Sequence, residues 1–151
     1  MKKIIFVCLG NICRSPMAEM MMMNLIEQKG LSDEISVASR STSTYEIGNP
    51  PHSGAIAELT ENNIPIIKHR AQQITRHDFE EADLIIGMDQ QNIVNLKKMA
   101  PITDKNKIHL AYEAIGQTKE VQDPWFDHQF DRTYRQLSEL LPIWLKKLMN
   151  Q

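Results

Sequence analysis

An apolar run, Ile4-Ile5-Phe6-Val7, stops at Cys8, passes through Leu9-Gly10-Asn11-Ile12-Cys13, and continues as Arg14-Ser15-Pro16 at the head of a helix-like segment. Strand, turn and helix in that order aim successive backbone N–H groups at one point, and the helix dipole adds positive potential there. Gly10 and Asn11 tolerate positive φ, Ser15 suits a helix cap and Pro16 suits a first turn. The stretch therefore predicts a phosphate pocket with its own nucleophile, in which Cys8 and Arg14 surround one concavity. Cysteines at helix N-termini and beside Arg ionise at about pH 3.5 to 7.5 instead of about 8.5, and Arg offers a planar fork of donors that matches two phosphate oxygens. A lone Cys after an apolar strand is more often simple core packing. The turn residues and Arg14 argue against that here.

The remaining composition narrows the setting. A chain of 151 residues with 42% hydrophobic content is the size of one domain, 1–151, and can bury a real core. A formal charge of −2, a pI near 6.2 and the absence of a Lys/Arg block argue against a nucleic-acid partner. Met1-Lys2-Lys3 before apolar residues superficially resembles a secretory signal, but the run is short and lacks a small-residue cleavage site, so it reads as a first strand. No stretch approaches the ~18 apolar residues of a membrane helix, and the expectation is a soluble, cytoplasmic protein. The only two cysteines, Cys8 and Cys13, form no disulfide framework and suit reactive chemistry in a reducing compartment.

Along the chain, Lys3–Val7 predicts a strand and Pro16 to about Lys29 a helix that stops at Gly30. Ile35–Ser39 alternates as a strand, and Arg40–Ser53 reads as a long loop. Gly54–Asn63 predicts a helix, Asp83–Gly87 a buried strand, Asp89 the cap of a helix to about Met99, and Lys107–Leu110 a weaker strand. After a second long loop, Asp131–Met149 carries the apolar stripe of an amphipathic helix, with Pro142 a place where it can bend. Alternating strands and helices imply an α/β fold with a parallel sheet covered on both faces and ligands at the carboxyl ends of the strands, where Cys8 lies.

Asp123-Pro124-Trp125-Phe126 is the second informative cluster. A carboxyl group near apolar rings can stay protonated until it serves as a general acid, and Pro124 restricts Asp123 to extended conformations. Taken alone, the stretch reads more readily as an Asp-Pro turn beside a core Trp. Cys13 is either a packing residue or, in the favoured reading, a thiol that traps oxidised Cys8 as a reversible disulfide. Met20-Met21-Met22-Met23 spreads around most of a helix circumference, so at least one Met is expected at the surface. The histidines at 52, 69, 77, 109 and 128 lack the spacing of a metal site, and no metal or cofactor is expected.

With Cys8, five intervening residues, Arg14-Ser15 and a distant Asp-Pro-aromatic, the chain resembles the low-molecular-weight protein tyrosine phosphatases. Tyr45-Glu46-Ile47-Gly48-Asn49-Pro50-Pro51, His69-Arg70-Ala71 and Gly87-Met88-Asp89 support the likeness over nearly the whole length. The resemblance implies a three-layer αβα, flavodoxin-like (Rossmann-like) fold with a four-stranded parallel sheet of order 2-1-3-4. It also implies hydrolysis of protein phosphotyrosine and small aryl phosphates through a cysteinyl-phosphate. Cys8 would be the nucleophile, Arg14 and the amides of Leu9, Gly10, Asn11, Ile12 and Cys13 the phosphate cradle, and Asp123 first acid and then base. Ser15 would donate to the Cys8 sulfur, while Asn11, Ser39 and His69 would hold the loop in shape. Tyr45, Trp125 and Phe126 would wall a cleft too deep for phosphoserine, where stacking on a phenyl ring contributes about 0.5 to 1.5 kcal/mol. Ile12 stands where the protein-arginine phosphatase branch looks to carry Thr, which favours tyrosine. The implied partners are tyrosine-phosphorylated proteins, and the implied state is a monomer with weak self-association at most.

Ala38, Arg40, Ser41 and His52 depart from the family's usual residues, His52 standing where Asp is frequent. These departures bear on loop shape and partner choice, not on the chemistry. Trp125-Phe126 replaces the two tyrosines of some relatives, which removes phosphorylation there. Two rival functions remain: a thioredoxin-coupled arsenate reductase, whose relay needs cysteines this chain lacks, and a non-catalytic phosphopeptide-binding module, which needs neither Cys8 nor Asp123.

Overall fold

The computed structural model describes residues 1–151 and places one strand at the centre of everything else. β1 (Lys2–Cys8) pairs in parallel with β2 (Ile35–Ser41) on one side and β3 (Leu84–Gly87) on the other, and β3 pairs with β4 (Ile108–Leu110). The order β2-β1-β3-β4 is the expected 2-1-3-4 arrangement. Ile4, Ile5, Phe6 and Val7 are all fully buried because both faces of the sheet are covered, and each such side chain contributes about 1.5 to 3 kcal/mol.

The pleat of β1 divides the core in two. Ile4, Phe6 and Cys8 point into the larger apolar cluster with α1 (Arg14–Gln28), α2 (Ser53–Glu61) and α6 (Phe130–Met149). Ile5 and Val7 point into the smaller one beneath α3 (Arg76–Glu81) and α4 (Gln90–Met99). α1 lies against the sheet, α2 and α6 at once, which is why Met20, Met21 and Met22 are all buried and only Met23 reaches the surface. α6 buries Leu137, Leu140, Leu141, Trp144, Leu145 and Leu148, with Trp144 Nε1 donating to the Ala111 carbonyl at 2.8 Å. The helix runs without interruption through Pro142, which occupies an exposed position. Lys2 Nζ reaches the carbonyls of Leu148 at 2.8 Å and Gln151 at 2.9 Å, tying the start of β1 to the end of α6.

Several boundaries differ from expectation. α1 begins at Arg14, with Cys13 in the cap position and no side-chain cap, so Ser15 sits inside the first turn instead of capping it. Of the two residues suited to positive φ, only Asn11 adopts it, at 61°. β2 runs on through Arg40 and Ser41 because they continue the ladder opposite Val7 and Cys8 of β1, with Gln73 bridging Ser41 from the other side, which shortens the loop read as Arg40–Ser53. α3 is an element that sequence patterning misses, although Thr75 and Asp78 form a reciprocal capping box at its start. The second long loop holds a 3-10 turn, Ala111–Ile115, and the single-turn α5 (Pro124–Asp127).

Gly54, in the first turn of α2, lies directly beneath the Phe130 ring, and a Cβ there would come within 2.2 Å of it. Helix propensity would favour Ala by up to about 1 kcal/mol. The clash with a buried ring outweighs that, and Gly54→Ala is expected to destabilise the protein by about 1 to 3 kcal/mol net. Urea unfolding measures it, and an unchanged midpoint would refute the packing argument.

Candidate active site

The site forms where β1 ends and α1 begins. Cys8 is the last residue of β1 and Arg14 the first of α1, and the five residues between them wrap around a cleft of about 210 Å³. The outer side of the loop is pinned by its carbonyls: Thr42 N–H donates to Cys8 at 3.1 Å, Ser43 N–H to Leu9 at 3.1 Å and His52 N–H to Ile12 at 2.8 Å. None of the N–H groups of residues 9–14 donates to a protein acceptor. A run of N–H groups without protein acceptors on one concave turn, four of the six on buried residues, forms an anion cradle.

Asn11 holds this shape. Its side chain is fully buried, its Nδ2 donates to Ser15 Oγ at 2.8 Å and Ser39 Oγ at 3.0 Å, and its Oδ1 accepts from Gln72 N–H and His69 Nε2, both at 3.1 Å. Ser15 Oγ accepts from Asn11 and turns its own hydrogen to the Cys8 sulfur, 3.0 Å away, with the Arg40 carbonyl a more distant acceptor at 3.4 Å. Ser39 likewise turns its hydrogen to Glu19 Oε1 at 2.5 Å. A chain of hydrogen bonds thus runs from a buried carboxyl group to the sulfur.

Sequence reasoning misses Glu19 as part of the site, although it is the single carboxylate of α1's buried face and lies one helical turn after Ser15. Burial pushes its pKa up, against the Ser39 hydrogen bond, and burial pushes that of His69 down. His69 Nε2 carries a hydrogen because Asn11 Oδ1 only accepts. The 3.4 Å contact between His69 Nδ1 and Glu19 Oε1 then needs one proton, and both shifts favour its residence on Glu19.

Arg14 is 3% exposed and divided by function along its two edges. Nη1 donates to Asp89 Oδ2 at 2.7 Å and to the Val121 carbonyl at 3.0 Å. Nε has no protein partner, and Nη2 lies 3.6 Å from Asp123 Oδ2, so the Nε/Nη2 edge is left for a ligand in the cleft. Burial opposes the charge, but Cys8, Asp89 and Asp123 outweigh it and hold the guanidinium above its ordinary pKa. Asp89, expected only as a helix cap, does cap α4 through Asn92 N–H with its other oxygen.

The second predicted cluster meets the first. Asp123 caps α5 by accepting Trp125 N–H at 3.0 Å and also faces Arg14, so the carboxylate that starts the Asp-Pro turn is also a wall of the cleft. Tyr45, Trp125 and Phe126 line the cleft with Leu9, Ile12 and Glu46. Their exposure is high, 79% for Tyr45 and 82% for Phe126, against 3% for Cys8 at the base, so the rim is aromatic and the bottom enclosed. Cys13 is buried beside Cys8, and burial, then the negative charge of Cys8, pushes its thiol up to about 12.

Asn11→Ala should cost about 2 to 4 kcal/mol, because it strands buried partners and leaves a Cβ in the left-handed region. Asn11→Gly should recover about 1 kcal/mol of that by tolerating the backbone alone. Equal losses in urea unfolding would mean that φ contributes nothing.

The comparisons with known proteins bear on the family and the fold. The profile described as low molecular weight phosphotyrosine protein phosphatase matches residues 3–151. A low molecular weight phosphotyrosine protein phosphatase of Pongo abelii is 39% identical, covering 97% of this chain and 95% of its own length. The crystal structure of SP-PTP, a low molecular weight protein tyrosine phosphatase from Streptococcus pyogenes, is 42% identical and superposes with a TM-score of 0.88 over 98% of this chain and 93% of its own. That of YfkJ from Bacillus subtilis, 32% identical, reaches 0.94 over 99% and 96%. Arginine phosphatases, one of them from drosophila, also share the fold. A sheet of this order, a family profile over residues 3–151 and likeness over nearly the full length together mean that the chain belongs to the low molecular weight phosphotyrosine protein phosphatase family.

Proposed function

We propose that residues 1–151 act as one catalytic domain that hydrolyses protein phosphotyrosine by two in-line displacements at phosphorus. The observation that carries this reading is one cleft lined by Cys8, by a loop whose N–H groups at residues 9–14 have no protein acceptor, and by Arg14, whose Nε has no partner. In the first step the Cys8 thiolate attacks phosphorus, the bond to the tyrosine oxygen breaks, and Asp123 gives its proton to the departing phenolate. The cradle and Arg14 stabilise charge on the three equatorial oxygens. In the second step Asp123, now ionised, takes a proton from water as that water attacks phosphorus, which breaks the S–P bond and restores the thiolate, stabilised by the Ser15 hydroxyl. Asn11, Ser39 and His69 keep the loop in its shape and do not react.

Depth and wall chemistry favour phosphotyrosine. A sulfur at the base beneath a rim of Tyr45, Trp125 and Phe126 suits a flat aryl ester and leaves a short phosphoserine out of reach. Ile12 offers an aliphatic wall with no hydrogen-bonding group for a phosphoguanidinium. Phosphate release should therefore be measured on phosphotyrosine, phosphoserine and phosphoarginine peptides with chelator present. Turnover of phosphotyrosine alone, abolished by Cys8→Ser and reduced about 10²- to 10⁴-fold by Asp123→Asn, is expected. Preferred turnover of phosphoarginine would overturn the substrate assignment, and turnover surviving Cys8→Ser would overturn the mechanism.

We further infer that Cys13 protects the nucleophile. Peroxide converts the Cys8 thiolate to a sulfenic acid, and the Cys13 thiolate then displaces hydroxide to form a disulfide that thiols reduce. Burial, the larger cause of the raised Cys13 pKa, persists when Cys8 is a sulfenic acid, so the attacking fraction rises with pH. Disulfide closure should accelerate about tenfold per pH unit between roughly pH 7 and 10. A pH-independent rate, or full recovery of peroxide-treated Cys13→Ser with thiol, would remove Cys13 from this role.

A further inference from the structure

The mechanism above gives His52 no part. The structure nevertheless ties it to both halves of the site. Its N–H donates to the Ile12 carbonyl of the phosphate loop at 2.8 Å, and its Nδ1 accepts Gly54 N–H at 2.9 Å, capping α2. Its ring stacks on Phe130, with centroids 5.0 Å apart and planes at 27°, and meets Trp125 edge-on at 5.5 Å and 80°. An aspartate in this place can make the first two contacts and neither of the last two.

The segment that carries Asp123 needs such support. α5 has only four residues, Pro124–Asp127, and one helical turn has no stability of its own. Its geometry must come from what it touches. Downstream, Asp127 pairs with both guanidinium nitrogens of Arg132 at 2.9 and 3.2 Å, and Phe130 is buried against Gly54 without room for a methyl group between them. Phe130 is therefore a fixed surface. The His52 ring lies on it and presents its other contact to Trp125, whose own N–H is bound to Asp123 Oδ1.

We propose that His52 is a positioning residue for proton transfer: its ring, seated on the Phe130 anchor, braces Trp125, and Trp125 through its N–H sets the direction of the Asp123 carboxyl group. With Oδ1 occupied by that N–H, Oδ2 is the oxygen turned toward Arg14 and the cleft. Release of the clamp lets α5 and the acid drift while the cradle, Cys8 and Arg14 stay in place. The inference rests on the reading of Asp123 as the acid.

The test separates ring from cap and clamp from acid. His52→Asn keeps a cap acceptor and loses the ring, whereas His52→Phe keeps a ring and loses the acceptor. For each, and for Asp123→Asn, kcat/KM is measured with phenyl phosphate, whose leaving group needs a proton, and with 4-nitrophenyl phosphate, whose leaving group scarcely does. His52→Asn should lower the phenyl ester about tenfold and the nitrophenyl ester less than about twofold, and His52→Phe should restore both. Acrylamide quenching should rise in His52→Asn at Trp125, since Trp144 is buried and insensitive. Equal loss on both esters, equal loss in both His52 variants, or no loss in His52→Asn while Asp123→Asn discriminates strongly would each overturn the proposal. Failure of Asp123→Asn itself to discriminate would overturn the acid assignment, and the clamp with it.

Discussion

One amide side chain decides whether this site exists. The loop from Cys8 to Arg14 takes its shape from a left-handed turn of the backbone at Asn11, a conformation that costs an L residue about 1 to 2 kcal/mol. The same residue offsets the cost, since its carboxamide makes four buried hydrogen bonds of about 1 kcal/mol each to Ser15, Ser39, His69 and Gln72. Glycine would accept the turn and hold nothing. A larger amide would hold partners and displace them. Through Asn11, strain in the loop, the hydroxyl beneath the sulfur and the packing of β2 become one problem with one solution.

Arg14 applies the same economy to charge. A buried guanidinium left to itself would be a heavy penalty, and Asp89 together with the Val121 carbonyl satisfies only one of its edges. The other edge is oriented by that fixation without being consumed by it. Asp89 is itself held by the start of α4, so the direction in which Arg14 presents its donors depends on a helix cap on the far side of the sheet's carboxyl end. A donor fork placed rigidly in this way meets a bound anion with little reorganisation.

The legible part of this molecule is the part written in contiguous residues. The run Ile4–Val7, the turn through Asn11 and the stripe along α6 carry their geometry locally, so the main helices and the position of Cys8 at a strand's end follow from the amino-acid order, and the sheet order follows from the family likeness that the same motifs carry. The supporting shell is not legible in this way. Glu19 looks like a stray acid in a methionine-rich helix until Ser39 and His69 arrive from other elements, and Asp89 shows only its capping half until Arg14 lies beside it. α3 escapes notice because six mostly charged residues give no apolar period, and its capping box is a two-residue signal. Ser15 reads as a cap from its chemistry, yet the cap position falls two residues earlier, where the tight loop already supplies the turn.

The bond from Lys2 to the end of α6 has a consequence for geometry on a larger scale. It gathers the first and last residues at the amino ends of the strands, while the cleft opens at their carboxyl ends. Any polypeptide joined to either end, whether a tag, a tether or another folded unit, emerges from the floor of the molecule and leaves the aromatic rim unobstructed. A fusion through one terminus therefore holds this protein to a surface with its mouth facing outward.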